Sequence, residues 1–297
     1  MNHTGDQSYL AAPSSRAVAG AQARRCIELA YPEVNMHKTM MAAALTAALF
    51  RMDGAAAAES LETYDNFSKA PINGTLWSTA ERSVAIKSKA LQTTHRYWGS
   101  TADNTGSNSD SLRQDFQDPA AITAIAVSIK VNALEVDACT ANSTTSQSRA
   151  RIDGAFFNVG TPTPGSETGD MLSQARVYRV SSSTDPQGTL RVGGTVVQCT
   201  NSDCSAFNLI ASVDLGTVNV GKATTLQMTW DQPNKQFLFS RDSGAETGTV
   251  PYTQDDSHAP GAPFKDLDTR LDIADCAGAK PLTGYVDATF DSVQVNK

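Results

Sequence analysis

The stretch LEVDACTAN, residues 134–142, holds the first residues whose types and spacing could do chemistry. Glu135 and Asp137 are two positions apart, and strand alternation puts such residues on one face. Two carboxyl groups about 5–5.5 Å apart can cleave a glycosidic bond with retention, one as nucleophile and one as acid/base. A third acid continuing the pattern would fall on Cys139 or Thr140, and neither is a general acid. Glu135 and Asp137 are therefore weak catalytic candidates, one carboxylate short.

A second candidate is HRYWGSTADNTGSNSDS, residues 95–111. Pyranose rings have apolar faces and polar rims, so a sugar site mixes flat aromatics with hydrogen-bonding side chains. Tyr97 and Trp98 would supply the first, Asn104 and Asn108 the second. The competing reading, which the strand pattern favours, has Trp98 ending a strand and packing into the core. His95 and His258 lie far apart, and no Ser sits in a G-x-S-x-G elbow. Gly-rich phosphate loops, zinc signatures and EF-hand loops are absent from the sequence.

The elements that must position these residues begin after a leader-like segment. From Met36, Lys38 is a positive n-region, Met40 to Phe50 an apolar stretch, and Ala56 to Ala58 an A-x-A-like cleavage site before Glu59. That layout is a secretory signal peptide over 36–58. Residues 1–35 then read as an overextended gene-model segment, and the expected domain is 59–297. Four cysteines fall within it, allowing three pairings. Cys199 and Cys204 flank the turn-forming TNSD and would close a small loop, leaving Cys139 for Cys276. Both features point to a secreted or periplasmic protein. The formal net charge of −7 over 297 residues argues against nucleic acid and anionic lipid as partners. No apolar run is long enough to span a bilayer.

Downstream of Glu59 the sequence alternates with a period of two. IAVSIKV (125–131) puts Ile125, Val127, Ile129 and Val131 on one face. RARIDGAFFN (149–158) turns Ile152 and Phe156 inward and Arg149, Arg151 and Asp153 outward. TTLQMTW (224–230) and QFLFS (236–240) flank the turn DQPNK, aligning Leu226, Met228 and Trp230, then Phe237 and Phe239. Trp77 and Trp230 lie within apolar patterns and are expected in the core. Many short half-buried strands, separated by turn clusters such as TPTPGSETGD and HAPGAP, predict an all-β fold, an antiparallel jelly-roll sandwich of two packed sheets.

Three phrases carry a resemblance. YDNFSKAPINGTLWSTAERSVAIKSKAL, LGTVNVGKATTLQMTWDQPNKQFLFS and the closing YVDATFDSVQVN resemble the first strand, the Trp-Asp turn and the last strand of concanavalin A-like lectin/glucanase domains of laminin-G-like type. The resemblance implies a last strand returning beside the first, and a polysaccharide or cell-surface glycan as ligand. It also implies a possible structural calcium where those strands meet, with Asp65 and Asp291 as ligands. No cofactor is required by it. The glucanase branch carries its acids as E-x-D-x-E, which Glu135 and Asp137 match at two positions only. Lyases of this fold need Tyr or His with Arg and Gln, types present in HRY at 95–97 without the flanking pattern. Fold-level motifs leave binding and catalysis as separate alternatives. Non-catalytic binding is the expectation; an atypical carbohydrate-active enzyme and a purely structural envelope protein are the alternatives.

Overall fold

The period-two stretches are strands. A computed structural model describes residues 60–68, 84–278 and 281–296. The expectations for 1–35, for the leader over 36–58 and for Trp77 lie outside these residues. The strands are β1 Leu61–Asp65, β2 Val84–Lys87, β3 Ala90–Trp98, β4 Ser107–Asp115, β5 Ala124–Val136, β6 Gln147–Asn158 and β7 Asp170–Val180. They continue with β8 Thr189–Cys199, β9 Phe207–Asn219, β10 Ala223–Asp231, β11 Gln236–Arg241, β12 Glu246–Pro251, β13 Lys265–Ala274 and β14 Thr283–Asn296.

Two antiparallel sheets result. One runs β12-β11-β10-β5-β14-β3-β2, with β1 also on β14; the other runs β4-β13-β6-β7-β8-β9. This is an antiparallel two-sheet jelly roll, the architecture that the resemblance implies. β14 pairs with β5 along one edge, and with β3 and then β1 along the other. Among the described residues no helix is long and apolar enough to cross a membrane.

The core lies between the sheets. Ile125, Val127, Ile129 and Val131 of β5 face Ile152 of β6 and Val177 of β7, all buried. The β10–β11 hairpin turns through Gln232–Asn234 and buries Leu226, Met228, Phe237 and Phe239. Trp230 packs against the same core, its ring stacked on Phe157 at 5.4 Å and its Nε1 donating to the Tyr252 hydroxyl at 2.8 Å. β8 carries Gly194 where the Phe239 ring presses on it from the other sheet; any side chain there would collide with the ring. Close packing of this kind leaves little room for a larger residue.

Two disulfides are present, Cys139–Cys276 and Cys199–Cys204. The first ties the end of β5 to the end of β13. The second closes a five-residue separation between β8 and β9.

Candidate functional site

The residues singled out from sequence do not gather. Glu135 is exposed on the outer face of the eight-stranded sheet, 3.6 Å from the Arg96 guanidinium, which lies over the Tyr285 ring. Asp137 Oδ2 instead accepts the Thr283 amide at 2.9 Å, fastening the start of β14. The pair is a surface contact and a strand clamp.

Tyr97 and Trp98 are split by strand alternation. Tyr97 points inward and packs against the core, while Trp98 stands out at 51% exposure. They cannot form one platform, and the core placement favoured for Trp98 gives way to an exposed one. The physical reason is that β3 keeps its period of two to its last residue. The same alternation divides HRY: His95 is buried, with Nδ1 2.9 Å from the Thr269 carbonyl, while Arg96 is outside. Asn104 and Asn108 are committed internally. Asn104 Oδ1 accepts the Ala277 amide at 2.9 Å, and Asn108 Nδ2 donates to Asp275 Oδ1 at 2.6 Å. Both serve to hold the loop before β4 against the Cys139–Cys276 bridge.

Asp65 sits opposite Val293 on β14, near Asp291, as the returning last strand requires. Their carboxylates turn to their own chains, Asp65 Oδ1 accepting from Phe67 N at 2.8 Å and Asp291 Oδ1 from Ser292 N at 2.7 Å. Calcium takes six to eight oxygens, and the two aspartates belong to no larger ligand cluster among the described residues. They do not fit such a site as arranged. At His258, Ser257 Oγ at 3.1 Å and Asp255 Oδ2 at 4.0 Å both approach Nδ1. A Ser–His–Asp relay needs the two on opposite ring nitrogens, so none is formed.

A denser constellation occupies the outer face of the six-stranded sheet. Strand pairing aligns Asp266 with Asp153, Asp268 with Arg151, and Arg270 with Arg149 across β13 and β6. It continues to β7, setting Gln174, Arg176 and Tyr178 beside Asp153, Arg151 and Arg149. Arg149, Arg151 and Asp153 do point away from the inter-sheet core, yet they are buried, because the side chains lie flat against one another. Arg151 bridges Asp153 at 2.8 Å and Asp268 at 2.7 Å; Arg113 of β4 reaches Asp266 at 2.6 Å.

Charge decides the protonation here. Three buried carboxyls, Asp153, Asp266 and Asp268, meet two guanidiniums. Burial pushes the Asp266 carboxyl well above the ordinary range, and Asp153 and Asp268 add to that against Arg113 and Arg151. Burial also opposes the Arg113 and Arg151 cations, but neighbouring aspartates outweigh it and hold both pKa values up. Beside this network Glu167 is raised, mainly by burial.

The apolar border of this face is a second small cluster of Ala155, Leu172, Val197 and Cys199, with Phe264 packed on it. Next to it Phe207 and Leu209 of β9 are 55% and 60% exposed, opposite Cys199 and Val197 in the ladder. Sequence reasoning missed this site. Its signal was present in alternating charges, R-x-R-x-D at 149–153 and D-x-D-x-R-x-D at 266–272, but only the register shows that the two stretches are neighbours.

Beneath the same end of the sandwich lies a cavity of about 220 Å³ lined by Ile122, Phe156, Trp230, His258 and Lys265. The Lys265 ammonium lies over the Phe156 ring at 4.1 Å and donates to the Ala155 carbonyl. Burial lowers its pKa to about 7, against the pull of Asp153 and Asp266. Between pH 7 and the unfolded value of 10.5, the unfolded chain holds this proton and the folded chain has released it. Lys265 therefore contributes stability that rises with pH across 7 to 9, by up to about 1.4 kcal/mol per pH unit, while the raised Asp266 carboxyl acts in the opposite sense. Denaturant unfolding at pH 7 and 9 isolates the Lys265 contribution by difference: Lys265→Met should gain less stability, or lose more, than the wild type as pH rises. An equal slope in the variant would assign the pH dependence to other groups.

No protein-family model matches this sequence, and no curated protein matches it. Solved structures do resemble it. A GlcNAcα1-4Gal-releasing endo-β-galactosidase from Clostridium perfringens is 9% identical, with 80% of this chain and 63% of that chain covered and a TM-score of 0.43. This chain thus spans under two thirds of that protein. LamAcat from Zobellia galactanivorans is 8% identical, covering 72% and 80% at a TM-score of 0.37. Lectin UEA-II, solved with galactose, is 13% identical, covering 78% and 98% at 0.35. Likenesses at this level assign neither a family nor an activity to this chain.

Proposed function

We propose that this chain is an exported, non-catalytic jelly roll that binds polysaccharide or cell-surface glycan across the outer face of its six-stranded sheet. The observation that carries the reading is a fixed polar array bordered by exposed apolar side chains. Arg176 donates to Gln174 and Thr195 and lies over the Tyr178 ring, and all four residues are half-buried or buried, so little rotamer freedom is lost on binding. Phe207 and Leu209 offer the apolar border that a pyranose face requires. Two disulfides are in keeping with export. The carboxyls of the array, Asp153, Asp266 and Asp268, are sealed under arginines, which suits positioning better than proton transfer to a substrate.

A glycan array probed with the full chain tests this, with reducing-end release measured on every glycan bound. Phe207→Ala should weaken binding by about 1–2 kcal/mol, the order of a stacking contact, with an unchanged thermal midpoint because the ring is already exposed. Trp98→Ala, on the other sheet, reports on the competing surface. Binding lost only in Trp98→Ala would move the site to the end of β3. Hydrolysis of a bound glycan would overturn the non-catalytic reading.

A further inference from the structure

The outer face of the six-stranded sheet is unevenly charged. Arg113 and Arg151 bridge the aspartates of the Asp153, Asp266 and Asp268 group. The remaining guanidiniums are less well paired. Arg149 and Arg270 share a single carboxylate, Asp272, at 2.7 and 3.0 Å. Arg176, opposite Arg151 in the ladder, makes no ion pair among the described residues. Its Nη2 donates to Thr195 Oγ1 at 3.1 Å and its Nη1 weakly to Gln174 Oε1 at 3.5 Å, both neutral acceptors. Its Nε has no partner, and neither has that of Arg149. Arg176 is thus a half-buried guanidinium whose hydrogen bonds go only to neutral acceptors, within a chain whose formal net charge is −7.

The shape beside Arg176 is also particular. The Arg176 guanidinium lies 4.6 Å from the centre of the Tyr178 ring. Its ladder neighbour on β8 is Gly193, between Arg191 and Thr195 on the same face. A planar guanidinium can present a fork of donors to two oxygens at once.

We propose that the ligand of this face is an anionic sugar, with a carboxylate or a sulfate ester seated against Arg176 and Tyr178. This rests on the glycan-binding reading and names the class of glycan. A neutral sugar would leave Arg176 without an ionic partner in a half-buried setting, where unmatched charge is costly. The electrostatics agree. Burial, with neighbouring Arg151, lowers the Arg176 pKa against Tyr178 and Asp272. Burial likewise lowers Arg149 to about 9, with Asp272 opposing and Arg151, Arg270 and Arg176 adding to it. A bound anion would reverse both shifts.

The test is calorimetric titration of the full chain with three oligosaccharides of equal length: an oligouronate, a sulfated galactan fragment and a neutral β-glucan. At least one anionic probe should bind tenfold or more tightly than the neutral one, and its affinity should fall as salt is raised. Arg176→Gln should remove that preference, with at most a small fall in thermal midpoint from the loss of its two neutral hydrogen bonds and its contact with the Tyr178 ring. Should that variant not fold, Arg176→Lys keeps the charge without the fork and should still reduce the preference. Binding of the uronate alone, or of the sulfated probe alone, supports the proposal and identifies the anion. Equal affinity for the neutral probe, or a preference untouched by substitution at Arg176, overturns the anionic class but leaves glycan binding standing. Failure of all three probes, together with a blank glycan array, overturns both.

Discussion

Removing the Cys139–Cys276 bridge should cost about 5 kcal/mol of stability, the chain-entropy value for so long a loop. The bridge joins residues 137 apart in sequence, at a Cα separation of 5.6 Å. It also anchors a hydrogen-bonded knot. Asn142 Nδ2 donates to the Gly106 and Asp275 carbonyls, and Asp275 Oδ1 accepts from the Ser100 amide and from Asn108. Denaturant unfolding of the double variant Cys139→Ala, Cys276→Ala measures the loss. By the same model the Cys199–Cys204 loop contributes only about 2 kcal/mol, so its double variant is the internal control. Equal losses from the two bridges would mean that loop length is not what sets their worth.

Arg151→Met should be nearly as damaging, at about 3–5 kcal/mol, because it strands buried carboxylates without a partner. Arg151, Asp153 and Asp268 are all buried, and Arg151 is the cation both carboxylates share. Asp266→Asn should also destabilise, because it removes the carboxyl that Arg113 reaches at 2.6 Å, but by less than Arg151→Met, because burial already disfavours a charge there. Replacing Arg151, Asp153 and Asp268 together by apolar residues should recover much of the loss, as the desolvation cost disappears with the charges. Thermal and denaturant unfolding of the three variants would rank them. An Asp266→Asn as destabilised as Arg151→Met would place a full negative charge on Asp266.

The fold was legible where burial alternates. Ile125 to Val131, Leu226 to Trp230 and Phe237 with Phe239 fall on the faces that period two assigns, because one side of each strand meets the other sheet. The disulfide partners follow from a short turn and a remainder of two. The site was less legible. Tyr97 and Trp98 are adjacent in sequence and therefore opposed in space, a conflict already implicit in the alternation. Asn104 and Asn108 have the chemistry of ligand contacts, but the loop consumes it on Asp275 and Ala277. The charged face could not be assembled from sequence, because β13 lies beside β6 only after more than a hundred intervening residues have folded back.

The place of β14 has a bearing on how the molecule is made. It lies in the interior of the eight-stranded sheet, contacting β1, β3 and β5, although it comes after every other strand in the chain. Before residues 283–296 emerge from the ribosome, β5 and β3 have open edges and Ile129, Val131 and Leu91 lack the strand that covers them. Until β14 is made, the eight-stranded sheet is thus in two parts. Exposed strand edges invite pairing with other chains during that interval.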